Sequence, residues 1–260
     1  MAYYPHTPTE RDEMLAAIGA ADIDALFADI PARLRNPKLS VPPALSEMET
    51  LAELRELAEN NHHAGKSALF LGAGAYNHYT PAVVDALIQR GEFLTAYTPY
   101  QPEVSQGTLQ AVFEYQSMIV ALTGMEVANA SHYDGATALA EAVIMANEHF
   151  RGARRKVVLS PTLHPHARGV VRTYTQGLGL TITGDDAKAV TPDALPTPDD
   201  LLALVDEQTL LLAVAYPNFL GQIDDLKALA DAVHARGALL CVTVDPVALG
   251  LSKQGELDAA

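Results

Sequence analysis

The chain of 260 residues contains a single cysteine, so no disulfide can form within it. Cys241 sits in the apolar run ALLCVTVD, where it reads as a small buried hydrophobe. Cationic side chains are scarce: 17 Lys and Arg stand against 32 Asp and Glu, a formal net charge of −15. Such a chain cannot assemble the basic surface that neutralises phosphates, which argues against nucleic acid as a partner. No apolar run approaches the roughly 20 residues that a membrane span needs. The opening MAYYPHTPTERDEM lacks a basic stretch followed by an apolar one, so no signal peptide is read and the cytoplasm is the expected address. What remains is 49% apolar and 19% charged, the profile of a soluble globular protein of one large or two modest domains.

The N-terminal part reads as helical and loosely built. Thr7-Pro8-Thr9-Glu10 has a capping-box pattern with proline at the first helical position, which predicts a helix through Ile18. A second short helix is expected over Ile23–Phe27. The segment Pro31–Pro43 carries four prolines and reads as an extended arm, either a connector or a wrap around a partner. A helix over Leu45–Asn60 places Leu51, Leu54 and Leu57 on one stripe. An apolar run, LFLGAGAY at Leu69–Tyr76, leads into glycines, and Thr80-Pro81 opens a helix through Arg90. Thr95–Gly107 has no helical or strand period and is expected to be loop. Thr108–Leu122 reads as one long helix stopped at Gly124.

From residue 127 strands and helices alternate. Strands are expected at Val127–Ala130, Lys156–Leu159, Leu180–Thr183, Leu210–Ala215 and Ala238–Val244. Helices are expected over Gly135–His149, Pro165–Gln176 and Ile223–Arg236, with a short one capped at Thr197. Alternation of this kind predicts an α/β fold with a mostly parallel sheet covered by helices. The runs LLLAVA and ALLCVTV are apolar on both faces, as buried parallel strands are. The expected division is a helical arm and interface segment over 1–94 and an α/β large domain over 95–260. No closing helix is expected after the last strand, which suggests a fragment of a longer subunit.

Three places could carry chemistry. Between a strand and a helix, Ser131–Thr137 offers free N–H groups and the positive end of a helix dipole to an anion, with the Thr137 hydroxyl in support. The alternative is that Asp134, ahead of Gly135, simply caps the helix. Asp245, before Pro246 at the carboxyl end of a buried strand, can hold a cationic ring nitrogen or can be a plain loop residue. His164, in His164-Pro165-His166 at another strand-to-helix junction, can stack on an aromatic ring or titrate. Metal binding is the weaker reading, because these histidines lack a third ligand at a recognisable spacing. His62 and His63 read as solvated.

Anion turn, histidine and strand-end aspartate, in that order on one face of a parallel sheet, resemble the aspartate-aminotransferase-like fold of type I pyridoxal-phosphate enzymes. The loop TAYTPYQPEVSQG at Thr95–Gly107 carries a more specific resemblance. With YDGATALAEA at 133–142, PNFLG at 217–221, VDPVALG at 244–250 and the opening Tyr4–Glu10, it resembles subunit 1 of the two-subunit glycine dehydrogenase (decarboxylating). That is the P-protein of the glycine cleavage system, and the resemblance covers essentially the whole chain.

The resemblance implies an enzyme that decarboxylates glycine with pyridoxal phosphate and passes the aminomethyl group to the lipoyl arm of the H-protein. It implies a heterotetramer with subunit 2, which carries the Schiff-base lysine, so no catalytic residue is expected in this chain. The six lysines are Lys38, Lys66, Lys156, Lys188, Lys227 and Lys253, and none falls where the fold would place that lysine. Tyr97, Thr98, Tyr100, Gln101 and Glu103 would then border the cleft at the subunit interface, touching substrate, cofactor or lipoyl arm. A loop that only joins domains is the other possibility. Asp134, Gly135, Thr137, His164 and Asp245 would be cofactor positions of the fold, here possibly vestigial. A purely structural subunit, or a self-sufficient lyase or transaminase with a later lysine, remain the alternatives.

Overall fold

A computed structural model describes residues 5–35, 37–70, 72, 74–94, 97–186, 190 and 194–250. Calls that rest on Tyr4, Thr95, Ala96, Lys188, Lys253 or residues 257–260 lie outside them. The chain divides into two compact units, Met1–His62 and His63–Ala260.

The first unit is built from helices that bury none of their own side chains. Helix α1 (Pro8–Ala17) starts on the expected capping box, with Thr7 Oγ1 accepting from Glu10 N and the Glu10 carboxylate accepting from Thr7 N at 2.7 Å. Those Thr7 hydrogen bonds hold the Glu10 carboxyl below its ordinary value. Two 3₁₀ turns follow at Asp24–Phe27 and Ala32–Leu34, so the proline-rich segment is not extended throughout. Helix α2 (Glu47–Glu59) repeats the capping box with Ser46 and Glu49. Its stripe of Leu51, Leu54 and Leu57 is exposed.

The second unit begins with helices α3 (Ala82–Ile88), α4 (Gly91–Leu94) and α5 (Gln106–Thr123). Gly124, at φ 71°, ends α5 in the left-handed conformation that glycine adopts without steric cost. Helix α6 (Gly135–Phe150) leads into the sheet. Then come β1 (Lys156–Leu159), α7 (Pro165–Thr175), β2 (Thr181–Thr183), α8 (Pro198–Leu202), β3 (Thr209–Tyr216), α9 (Leu226–Ala235), β4 (Leu239–Val244) and α10 (Pro246–Leu249).

The sheet has the order β2-β1-β3-β4 and every pairing is parallel. Successive residues of each strand face opposite layers, as the two-residue period of a strand requires. Val157, Leu159, Leu211 and Ala213 pack with Leu139, Val143 and Val171 of α6 and α7 on one face. Val158, Leu212, Val214 and Tyr216 pack with Leu201, Leu229 and Val233 of α8 and α9 on the other. A leucine removed from water on this scale contributes roughly 2–3 kcal/mol, which is why the doubly apolar β3 takes the centre.

Four expectations are corrected. Val127–Ala130 forms no strand: Val127 is exposed, and the Ala128 carbonyl accepts from Gln116 Nε2 at 2.6 Å rather than from a ladder. Strand β4 is half-buried, not buried on both faces, because it is the edge of the sheet among the described residues. A helical turn, α10, does follow it, started by Asp245 and Pro246. His63 is half-buried, its Nδ1 accepting from Gly65 N at 3.2 Å, so of the His62-His63 pair only His62 is exposed.

Candidate functional site

The strand order fixes where a ligand can sit. Chain direction sends β1 outward to β2 on one side, and β3 then returns on the other side of β1. Loops leaving the carboxyl ends of β1 and β3 therefore part there, and open α/β sheets bind ligands in such a crevice. A pocket of about 330 Å³ lies at this point. Leu163, His164 and Ala167 wall it from the β1 side, Ala215, Pro217 and Phe219 from β3, and Val244 and Asp245 from the end of β4. Gly74, Tyr76 and His78 close it from the preceding segment.

The loop after β3 is held by one side chain. Asn218 is 2% exposed, and its Oδ1 accepts from Leu220 N at 3.0 Å and Gln222 N at 3.1 Å. Its Nδ2 donates to Gln222 Oε1 at 2.7 Å. Phe219 N donates to the Thr162 carbonyl at 2.9 Å, which ties this loop to the one after β1. There Ser160 and Thr162, both buried, share a hydroxyl hydrogen bond of 2.7 Å. The Tyr216–Pro217 peptide is cis. The Asn218 and Phe219 hydrogen bonds join the two loops into one wall between β1 and β3.

His164 is the N-cap of α7, and its Nδ1 accepts from His166 N at 3.1 Å. That bond leaves Nε2 as the ring nitrogen open to another partner. The His164 ring meets Phe219 edge-on, with centroids 5.1 Å apart at 84°. Gly74 approaches from the opposite side with φ +82°, and a Cβ there would lie 3.3 Å from His164 Cδ2. The second glycine of LFLGAGAY thus serves both a left-handed turn and a close approach.

Asp245 caps α10 by accepting from Val247 N at 2.9 Å through Oδ1. Its Oδ2 lies 3.8 Å from His78 Nε2, with the Asp245 side chain 29% exposed and that of His78 53%. Of the anticipated cofactor positions, His164 and Asp245 share this pocket, whereas Asp134, Gly135 and Thr137 are not among its lining residues. Asp134 instead caps α6, its Oδ1 accepting from Thr137 N at 2.7 Å and its own N–H donating to Thr137 Oγ1 at 3.0 Å. The Thr137 backbone N–H, with the Thr137 hydroxyl, holds the Asp134 carboxyl below its ordinary value.

The loop of Tyr97, Thr98, Tyr100, Gln101 and Glu103 stands elsewhere, outside the pocket lining. Tyr100 N donates to the Thr98 carbonyl at 2.7 Å, and Ser105 Oγ donates to the Tyr100 carbonyl at 2.6 Å. Gln101, at φ 53°, turns the chain left-handed, and Gln106 Nε2 donates to the Glu103 carbonyl at 3.0 Å. The loop is thus folded on itself, with Tyr97 91% and Tyr100 70% exposed. Sequence reasoning quoted Asn218 and Phe219 within PNFLG but gave neither a role, and it gave none to His78. The signals available were an Asn two residues ahead of a loop Leu and three ahead of Gly221, and an unplaced histidine after the glycine-rich run.

Comparison with known proteins places this geometry. A sphingosine-1-phosphate lyase of Burkholderia pseudomallei superposes over 86% of this chain and 54% of its own, with a TM-score of 0.53 at 18% identity. An Oryza sativa TDC crystallised with PLP and tryptamine covers 93% of this chain and 58% of its own, with a TM-score of 0.50 at 14% identity. The fold is that of the type I pyridoxal-phosphate-dependent enzymes. The closer likeness is to one family: residues 1–259 match Glycine cleavage system P-protein, and the chain belongs to that family.

A probable glycine dehydrogenase (decarboxylating) subunit 1 of Thermomicrobium roseum is 52% identical over 100% of this chain and 57% of its own length. The corresponding protein of Phenylobacterium zucineum is 48% identical with the same coverage. A crystal structure of glycine decarboxylase (P-protein) of the glycine cleavage system, in inhibitor-bound form, is 45% identical. It covers all of this chain and 57% of that one, with a TM-score of 0.79. The chain therefore spans somewhat more than half the length of the relatives it matches.

The fold implies pyridoxal phosphate, and the described residues fit it only in part. His164 and Asp245 suit an aromatic ring with a ring N–H. At the α6 N-terminus, where the fold would hold the phosphate, the Thr137 N–H is already given to the Asp134 carboxylate. Lys156 lies at the amino end of β1, its Nζ donating to the Leu204 carbonyl at 2.6 Å and to Asp206 at 2.8 Å. Among the described residues no lysine lines the pocket. Among the described residues no helix is long and apolar enough to cross a membrane, and no group of three His, Cys, Asp or Glu could hold a metal.

Proposed function

We propose that this chain is part of the first subunit of a two-subunit glycine decarboxylase and that it acts by completing a cleft on its partner. The observation that supports this reading is Asp134: a carboxylate of the chain itself accepts from the Thr137 N–H at the helix N-terminus where this fold would hold the cofactor phosphate. Two negative groups at one helix terminus repel, so this half is suited to support the cofactor site of subunit 2 rather than to hold the cofactor. Bound there, pyridoxal phosphate supplies an electron sink for the charge left on glycine when carbon dioxide departs.

The contribution of this chain is the loop from Tyr97 to Glu103. Its backbone bonds and two prolines fix its shape in advance, which lowers the ordering cost of contact. The phenols of Tyr97 and Tyr100 and the Glu103 carboxylate stand exposed, available to orient glycine or the lipoyl arm of the H-protein and to shield the reacting group from water. The segment through residue 94 serves as arm and interface, and residues 95–260 belong to the large domain. The assembly is a cytoplasmic heterotetramer with subunit 2.

The test is the Tyr97→Phe/Tyr100→Phe double variant of the full-length chain, assembled with its partner. Glycine decarboxylation, read as exchange of labelled carbon dioxide into glycine, should fall while light scattering shows the assembly unchanged. Unchanged exchange would leave the loop a purely structural role.

A further inference from the structure

We propose that Ser105 is a positioning residue for the reaction: it holds Tyr100 in the orientation that the partner's cleft receives. The inference rests on the reading that the loop of Tyr97, Tyr100 and Glu103 borders that cleft.

Ser105 departs from a local rule. It stands at the N-cap of α5, where a serine ordinarily accepts through its hydroxyl from the N–H of the second or third helical residue. Here the side chain makes no capping hydrogen bond. Its Oγ reaches back five residues instead and donates to the Tyr100 carbonyl at 2.6 Å. Thr7, Ser46 and Thr197, at the same position of α1, α2 and α8, all cap their helices. Departures of this kind concentrate where function sets the geometry.

The bond falls where the backbone most needs it. Gln101 has φ 53°, a left-handed conformation that is costly for a residue with a side chain. It also precedes Pro102, and a residue before proline is pushed toward extended backbone. Two peptide planes define that conformation, one carrying the Tyr100 carbonyl and the other the Gln101 carbonyl. Ser105 binds both: its Oγ donates to the first, and its N–H donates to the second at 3.1 Å. The Gln101 carbonyl also accepts from Val104 N at 3.0 Å, whereas the Tyr100 carbonyl has no other partner among the described residues. Ser105 is half-buried and Tyr100 is exposed, so the anchor lies inward of the group it directs. Without the hydroxyl the plane between Tyr100 and Gln101 turns, Gln101 relaxes toward extended backbone, and the Tyr100 phenol leaves its place while the rest of the fold is kept.

The test uses the full-length chain assembled with its partner and saturated with pyridoxal phosphate. Fluorotyrosine is placed at Tyr100 or, as a control, at the buried Tyr216 of β3. Ser105→Ala should move the Tyr100 fluorine resonance and leave that of Tyr216 unchanged. Exchange of labelled carbon dioxide into glycine, at saturating glycine, should fall about 2- to 10-fold, the factor that the net contribution of one hydrogen bond supplies. Light scattering should show the assembly intact. Ser105→Thr keeps the hydroxyl, so it should retain both the resonance and most of the exchange. The proposal is overturned by a Tyr100 resonance that Ser105→Ala does not move, by unchanged exchange in that variant, by a Ser105→Thr variant as impaired as Ser105→Ala, or by loss of assembly in Ser105→Ala. The Tyr97→Phe/Tyr100→Phe variant separates the two levels. Normal exchange there overturns the reading beneath the proposal; impaired exchange there with normal exchange in Ser105→Ala overturns the proposal alone.

Discussion

Replacing Asn218 by Ala removes three side-chain hydrogen bonds at once: two accepted from the Leu220 and Gln222 N–H groups and one donated to Gln222 Oε1. The cavity left is small, so the cost comes from the polar groups. Asn218 is 2% exposed, and the two backbone donors are part-buried, so water replaces their acceptor poorly. At about 1–2 kcal/mol for each orphaned donor, the loss is about 2–4 kcal/mol. Against a total stability of about 5–15 kcal/mol that is substantial. For a protein of this size it corresponds to a fall in Tm of roughly 4–16 °C. Gln222→Ala is the control, since it breaks only the side-chain pair and leaves Gln222 N bonded to Asn218, at about 0.5–1.5 kcal/mol. Differential scanning calorimetry of the full-length chain compares the two. An Asn218→Ala midpoint no lower than that of Gln222→Ala would refute the claim that this side chain holds the wall of the pocket.

Further outcomes follow from single contacts. Leu212→Ala, at a fully buried position of the central strand, should cost about 2–5 kcal/mol in urea unfolding, and less than about 1 kcal/mol would contradict the burial of β3. Gly74→Val places a β-branched residue at φ +82° and a Cβ 3.3 Å from His164, so it should cost about 1–3 kcal/mol and shift the His164 ring resonances. Unmoved resonances would separate Gly74 from His164. Burial pushes the Cys241 thiol up to about 11 from 9.0; the residue is half-buried, with its side chain packed on the core below β4. The thiolate is the reactive form, so at pH 8 native Cys241 should react with a disulfide reagent about 100-fold more slowly than in the unfolded chain. Because the folded value is the higher one, the stability it contributes is complete below about pH 9 and is lost as pH rises toward about 11.

Much of the fold was legible because it is written in local pattern. Lys156–Leu159 was read to the residue, and the central strand came from the run LLLAVA, which only a position covered on both sides tolerates. Helix starts were legible where the cap is a side chain a few residues away, as at Thr7 and Thr197. Val127–Ala130 misled because a short apolar stretch is equally compatible with an irregular segment, and what decides is whether a ladder partner exists. The half-exposure of β4 was hidden for the same reason, since its composition does not reveal which strands flank it. His164 and Asp245 could be singled out because strand ends and helix starts are sequence-local features, and the structure brings the two to one pocket. Their shared pocket depends on Phe219, Asn218 and His78, which approach from distant segments and carry no motif that names their partners. The choice between an anion site and a cap at Asp134 was open in sequence, and the Thr137 N–H at 2.7 Å identifies the capping contact.

The most direct test of the account is the absorbance spectrum of the full-length chain titrated with pyridoxal phosphate, alone and after addition of subunit 2. A Schiff-base band that appears only once the partner is present, together with loss of that band when a partner lysine is replaced, is the predicted result. A band formed by this chain alone, abolished by replacing one of its own lysines, would contradict the central claim that it completes a partner's site.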